Sequence, residues 1–540
     1  MKEKLVKFGI YAGSFILTIV LMPYILGYGL FPLLAMCFTK VYKPMTIITS
    51  GVGATAVSVL TALGIGIAVI NWYIKKMDSN KYEVKEQGTS YVGTVKDLKD
   101  LCGDDGFVLS KNVRLSKKKS YEHVAVIGPT GCGKSSSFII PNLLDIDGKT
   151  SVVVADPKGE NHDICKPYLE SLGYNVMRID PFNATIRYNP LLIAADNTEL
   201  KEIAQLIMIN GNKSYEAGTG GKSGSAEWLS MSEPLLVASF MYVRAKGLKK
   251  DIPEAMKIIL YKNIDELDAI FREYPPAHQE FMMFAQSKES TKTMSSIKVT
   301  LANALKLFND ENIKNFVETP FKKKVINGKE CFVPQFNLLF HPKILRERPT
   351  ALFICVPERK AMFAMPLMSV FYTQLLNKSM DFAEGDNYTP VLFLLDEFAN
   401  IGTLPGFAAV VATARSRKLG VAIALQGMEQ LKANYGEETA HNILNNMKTK
   451  VFYSGLTGTS AEYVSQLSGY TTIKSESVTN NDNGSSTSVS DQRRELITAD
   501  EVRRIDENKM IIIAHNKPVV IDDKNSYYEN HKYDKRYKHD

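Results

Sequence analysis

Cysteine is scarce and scattered, six residues in 540 at positions 37, 102, 132, 165, 331 and 355, with no paired spacing of the metal-binding kind. This leaves out a cysteine-held metal module and fits reduced thiols in a cytosolic compartment. An excess of one charge is lacking too. The net charge of +7 permits contact with nucleic acid or an anionic membrane surface without demanding either. Strand-period stretches rich in aromatic residues are not evident, so any DNA contact is expected through phosphate charge, indifferent to sequence and weakened by salt. The most telling absence is at the amino end, where Phe8 to Phe38 and Ile47 to Ile74 contain no charged residue. Each stretch is long enough to span a bilayer as a helix. The first is too long for a signal peptide's apolar core and lacks a small-residue cleavage site after a short core, so two retained transmembrane helices are expected. Lys2, Lys4 and Lys7 before the first and Lys75 and Lys76 after the second put both ends in the cytoplasm, against Lys40 and Lys43 in the connecting loop.

The remaining chain exceeds a single hydrophobic core and has an ordinary apolar fraction, so more than one globular domain is expected. Its clearest motif is Gly128-Pro129-Thr130-Gly131-Cys132-Gly133-Lys134-Ser135, which fits a phosphate-cradling loop. Gly131 and Gly133 let the backbone approach phosphate, so that N–H groups and the following helix's N-terminus face anionic oxygens. In such a loop the lysine, here Lys134, reaches the β- and γ-phosphates, and the hydroxyl, here Ser135, holds magnesium. Val124-Ala125-Val126-Ile127 reads as the strand entering the loop and Ser136 to Leu144 as the helix leaving it. With Ser136, the loop forms the nucleotide-binding set for ATP and Mg2+. Two readings stand for Cys132: a thiol made acidic by the helix N-terminus, or a small side chain that fits the loop.

Such a site needs a carboxylate for the metal and a group to orient water. Val391 to Leu395 is an apolar strand that delivers Asp396 and Glu397 to its carboxyl end, where open parallel sheets place ligands. Asp396 is the expected magnesium residue and Glu397 the expected catalytic base. Ser151 to Ala155 reads as a second buried strand, ending in a turn with Asp156, Lys158 and Glu160; crevice and surface are equal readings of that turn. Gly420 to Leu425 ends in Gln426, placed to sense hydrolysis. Arg415 and Arg417 lie upstream; an exposed basic helix end is their default reading, and an arginine offered to a neighbouring subunit's phosphate would need the same surface position. Further strands are expected at Ala351 to Val356, Lys450 to Tyr453 and Met510 to Ala514, in a mostly parallel sheet.

Between Leu191 and Phe316 helical periodicity takes over, at Glu199 to Ile209, Glu227 to Lys246, Ile264 to Tyr274 and Thr291 to Phe308. Gly211 to Gly224 reads as a flexible loop, Thr471 to Gln492 as a mobile serine- and asparagine-rich segment, and Tyr527 to Asp540 as a solvated tail.

In this order the pieces resemble the TraG/TraD-type coupling proteins of type IV secretion and conjugation systems, membrane ATPases that bring DNA and protein substrates to the channel. The resemblance is carried by the two apolar stretches, the loop Gly128 to Ser135, Val153 to Glu160, the helical segment containing Trp228, Leu394-Leu395-Asp396-Glu397-Phe398, Ala424-Leu425-Gln426 and Arg493 to Val502. It implies an α/β fold: a RecA-like P-loop nucleotide-binding domain with an inserted all-α domain and two N-terminal transmembrane helices. The corresponding divisions are a membrane anchor at 1–79, nucleotide-domain parts at 80–190 and 317–523, the all-α insertion at 191–316 and a tail at 524–540. It further implies a two-pass protein of the cell's cytoplasmic membrane with its ATPase domain in the cytoplasm, assembling as a homo-hexamer. Single-stranded DNA with a relaxase or relaxosome, or protein substrates, and components of the secretion channel are the implied partners. Arg417 matches the family's trans-acting arginine, with Arg415 as the neighbouring alternative. Two other classes are a FtsK-type DNA translocase, expected to carry more membrane helices and a terminal DNA-reading domain, and a docking receptor that uses ATP as a switch.

Overall fold

The computed structural model describes residues 88–538 apart from 220–225, 286–290, 327–328, 336–337, 383–386 and 482–483. The two expected membrane helices lie outside the described residues. Among the described residues no helix is long and apolar enough to cross a membrane. Residues Ser90–Asp540 form one compact unit.

Its strands in chain order are β1 (Val92–Gly93), β2 (Val124–Ile127), β3 (Ser151–Ala155), β4 (Asn175–Ile179), β5 (Phe321–Ile326), β6 (Lys329–Pro334) and β7 (Thr350–Ile354). There follow β8 (Val391–Leu395), β9 (Leu419–Leu425), β10 (Thr449–Tyr453), β11 (Tyr470–Asn481), β12 (Gly484–Glu495), β13 (Lys509–Ala514) and β14 (Val519–Asp523). Ten of them form one sheet in the order β1, β14, β13, β10, β2, β9, β8, β3, β7, β4. From β10 to β4 every neighbouring pair is parallel, and only β13 runs against its two neighbours. The strands expected from the sequence are all present. Their unbroken apolar runs follow from burial on both faces. Alternate residues serve opposite cores: Ala125 and Ile127 join one cluster of buried side chains, Val124 and Val126 the other. The less apolar β4 occupies an edge, where the alternation is weaker and the sequence signal fades.

Between β4 and β5 the chain is helical, and three readings from sequence need correction. The first concerns Gly211 to Gly224, of which 211–219 are described and 220–224 lie outside the described residues. The helix Asn197–Thr219 runs straight through Gly211. A Cβ there would meet the Ala304 carbonyl oxygen at 2.5 Å, so the glycine permits close helix contact rather than breaking the chain. Lys213 is likewise not a free cation, since its Nζ donates to Thr403 Oγ1 at 2.6 Å and to the Asn434 carbonyl at 3.2 Å.

The segment Thr471 to Gln492 is an antiparallel hairpin, β11 against β12, paired from Tyr470 opposite Glu495 to Asn481 opposite Gly484. Cross-strand contacts stand in for an apolar face: the Arg493 guanidinium lies 3.4 Å from the Tyr470 ring centroid, and Lys474 is opposite Asp491. The expected solvated tail is also packed. Tyr533 is 1% exposed, and its hydroxyl accepts from Asn525 Nδ2 at 2.9 Å. Lys532 and Arg536 both pair with Asp145, at the end of the helix that follows the phosphate loop. Tyr533, Lys532 and Arg536 therefore anchor this segment, Tyr533 by burial and the two cations by their pairing with Asp145. Tyr533→Ala should lower stability by about 3 kcal/mol, read as a fall in the thermal unfolding midpoint.

Candidate active site

The loop after β2 turns on two glycines in the left-handed region, Gly131 at φ +80° and Gly133 at φ +91°. No atom lies within 4 Å of where a Gly131 side chain would stand, so the space beside the loop backbone is open. Gly128 is needed for a different reason. A Cβ there would strike Cys132 Sγ at 2.6 Å and Tyr453 Cβ at 2.7 Å. The Gly128 N–H donates to the Leu425 carbonyl at 3.0 Å, which ties the loop to the end of β9. Lys134 is 6% exposed, and its Nζ rests on the Gly128 and Pro129 carbonyls at 2.7 and 3.1 Å.

Beyond Lys134 the chain makes a π-helical turn, Ser135–Ile139, before the helix Ile140–Leu144. Such turns recur at functional sites because they leave carbonyls out of the regular ladder. Here the Ser136 carbonyl accepts from the Tyr527 N–H at 3.1 Å. The Ser137 hydroxyl lies 2.6 Å from the Gly133 carbonyl and 2.9 Å from the Tyr453 hydroxyl.

Sheet order then brings in the acids. The Ser135 hydroxyl donates to Asp396 Oδ2 at 2.7 Å across 261 positions of sequence. Asp396 is 6% exposed, and burial pushes its carboxyl above the ordinary range against the Ser135 hydrogen bond and the Lys134 charge. Glu397 follows in the left-handed region at φ +50°, a conformation costing a non-glycine residue about 1–2 kcal/mol. Strain at such a position is accepted where side-chain direction matters. Glu397 Oε2 accepts from Gln426 Nε2 at 2.9 Å. Burial raises the Glu397 carboxyl as well, partly offset by Lys134 and reinforced by Asp396.

The structure thus gathers the loop, Lys134, Ser135, Asp396, Glu397 and Gln426 at the carboxyl ends of β2, β9 and β8. Asp156 joins them from the end of β3. It is buried, accepts from the Asn161 and His162 N–H groups at 3.3 and 2.8 Å, and lines a cavity of about 30 Å³ with Glu358, Tyr372, Asp396 and Glu397. Lys158 and Glu160 remain exposed. Arg417 is not in this crevice. It precedes β9, a strand of seven residues, so about 20 Å of extended chain separates it from Gln426. Arg415 is paired with Glu122 at 3.0 Å, whereas the Arg417 side chain has no hydrogen-bond or ion-pair partner among the described residues.

Sequence reasoning missed Glu358, Tyr453 and Lys524. Lys524 Nζ donates to the Cys132 carbonyl at 2.8 Å from outside the loop. Of the two readings for Cys132 the small side chain is favoured, since burial pushes its thiol up against the lowering effect of Lys134 and Lys524.

A family model described as Type IV secretory system Conjugative DNA transfer matches residues 73–333 and 338–539. Protein VirD4 of Rhizobium radiobacter is 22% identical over 423 residues, covering 75% of this chain and 57% of that protein. The chain therefore spans less than two thirds of this relative. Among solved structures, the plasmid coupling protein TrwB in complex with the non-hydrolysable ATP analogue ADPNP gives a TM-score of 0.59 at 16% identity, covering 82% of this chain and 94% of that one. TrwB in complex with ADP and Mg2+ gives 0.54, at the same identity and coverage. The mixed α/β fold with its parallel sheet is shared with these proteins.

Because its thiol is held protonated, Cys132 should react with iodoacetamide at pH 7.4 more slowly than free cysteine. The rate should rise only above the ordinary thiol range, as followed by mass spectrometry of the Cys132 peptide.

Proposed function

The chain belongs to the type IV secretory system conjugative DNA transfer family, and on that premise we propose a membrane-anchored coupling ATPase. It recruits single-stranded DNA with its relaxase or relaxosome, or protein substrates, and spends ATP hydrolysis on delivering them to a type IV secretion channel. One observation carries this reading: Ser135 meets Asp396, and Glu397 meets Gln426, in one crevice beside a phosphate-type loop. The family match favours it over a FtsK-type translocase. The Glu397–Gln426 pair favours hydrolysis over a passive switch, which needs no oriented base.

The residues fit a nucleoside triphosphate with magnesium. The open backbone at Gly131, the Lys134 ammonium on the loop carbonyls and the hydroxyl–carboxylate pair are groups that such a ligand requires. Lys134 and the loop N–H groups would hold the phosphates, and Ser135 with Asp396 would hold the metal. Bound magnesium supplies charge neutralisation at the phosphates. Glu397 receives a proton at its carboxylate from a water that it orients. Gln426 fixes the Glu397 rotamer and, by donating to Oε2, favours its charged form.

RecA-like organisation with an inserted all-α domain is supported by β9 lying between β2 and β8 and by the helices between β4 and β5. The divisions at 1–79, 80–190, 191–316, 317–523 and 524–540 follow from the same reading. Anchoring by two cytoplasmic-membrane helices rests on the uncharged stretches Phe8 to Phe38 and Ile47 to Ile74. A homo-hexamer is supported by Arg417. An arginine whose side chain has no partner among the described residues, about 20 Å along β9 from its own Gln426, is out of reach of its own nucleotide and available to a neighbour's.

Glu397→Gln should leave nucleotide binding intact while lowering kcat about 10²- to 10⁴-fold. A base works deprotonated, so activity falls as pH drops through its pKa. Because burial raises the Glu397 carboxyl, the acid limb of kcat/KM should stand above the ordinary value of 4.5. Gln426→Ala removes a hydrogen bond that lowers this pKa and should move the limb further up. An unmoved limb in Gln426→Ala, with kcat intact in Glu397→Gln, would remove Glu397 from the chemistry.

A further inference from the structure

Arg346 is 1% exposed and heads the fully buried side chains by volume, yet no carboxylate pairs with it among the described residues. A buried cation without a counter-ion is costly, so its donors must find acceptors. Here four of the five N–H groups donate to backbone carbonyls. Nε donates to Ser379 at 3.0 Å, Nη2 to Ser379 at 2.6 Å and to Arg417 at 2.8 Å, and Nη1 to Thr389 at 3.1 Å. One planar guanidinium thereby joins the end of the helix Glu358–Met380, the approach to β8 and the approach to β9. Lysine has no such fork.

The turn it grips is fixed at several further points. Lys418 sits in the left-handed region at φ +51°, and its N–H donates to the Arg415 carbonyl at 3.1 Å. Its own carbonyl accepts from the Val391 N–H at 3.1 Å. The Arg346 and Lys418 cations lie 4.8 and 4.9 Å from the centroid of the Tyr388 ring. Within this pinned turn the Arg417 backbone is held while its side chain is left without a bond.

We propose that Arg346 is the positioning residue of Arg417, holding its carbonyl so that the unbonded side chain is presented at fixed geometry to the nucleotide of a neighbouring copy of this chain. This inference rests on the reading of Arg417 as the trans-acting arginine. Such an arginine acts by electrostatic preorganisation, where a misplacement of about 1 Å costs about 10²-fold in rate.

The test uses the full-length chain purified in detergent. Arg346→Met should lower kcat about 10²-fold while a fluorescent ATP analogue binds as it does to wild type, because Arg346 lies far from its own nucleotide site. A general loss of structure would also lower kcat, so subunit mixing separates the two. Co-expressed and tandem-purified with Lys134→Ala, the Arg346→Met subunit should regain turnover. Its own site then receives the intact Arg417 of the Lys134→Ala partner. Arg417→Ala mixed with Lys134→Ala is the control. Recovery in the control without recovery for Arg346→Met overturns the inference and leaves the role of Arg417 standing. No recovery in either mixture removes the trans role of Arg417, and this inference with it. Should Arg346→Met fail to bind the analogue, Arg346→Lys, which keeps the charge without the fork, takes its place in the same comparison.

Discussion

The hydrogen bond from Ser135 to Asp396 is the contact on which the site depends, and it exists because of strand order. β2 and β8 are not neighbours. β9 lies between them, paired in parallel with both, so that Val126 aligns with Ala424 and Leu394 with Ala422. Three chain segments therefore end side by side at the carboxyl ends of central strands, each delivering polar groups beyond its last apolar residue: the loop lysine and serine after Ile127, the two acids after Leu395, the amide after Leu425. Parallel strands align their carboxyl ends, which is why the polar residues converge rather than scatter.

That convergence has an electrostatic cost. Asp396 is buried and its neighbour Glu397 half-buried, and burial raises both carboxyls. Lys134 has its ammonium on loop carbonyls, and its charge lowers both. The same sheet separates two kinds of charge. Acids and lysine stand at the carboxyl ends, while Arg417 stands at the amino end of β9, its turn fastened by a cation buried beneath it. On the proposed trans role of Arg417, a single subunit carries half of each of two sites, and cooperation between copies would follow from where the strand begins and ends.

The central sheet and the core of the site were legible in the sequence because both rest on local signals. Val391 to Leu395 followed by two acids, and the glycine–lysine–serine loop after Val124 to Ile127, each state their geometry within a few residues. The hairpin of β11 and β12 was not legible, because its stabilising pairs, such as Arg493 over Tyr470, join positions far apart and leave no apolar alternation. The tail was misread because its lysines and tyrosines look solvated until Asp145 and Asn525 are seen beneath them. Gly211 looked like a chain breaker, and only the backbone of Ala304 against it reveals a packing glycine. Arg346 had no local signal at all. It stands in a basic stretch with Lys343 and Arg348, and its burial follows entirely from sheet and helix ends meeting around it.

The most direct test of the account is ATP turnover by the full-length protein with and without single-stranded DNA. The account predicts steady hydrolysis that DNA stimulates. Nucleotide that binds but is not turned over, even with DNA present, would contradict a motor and leave a docking receptor switched by ATP.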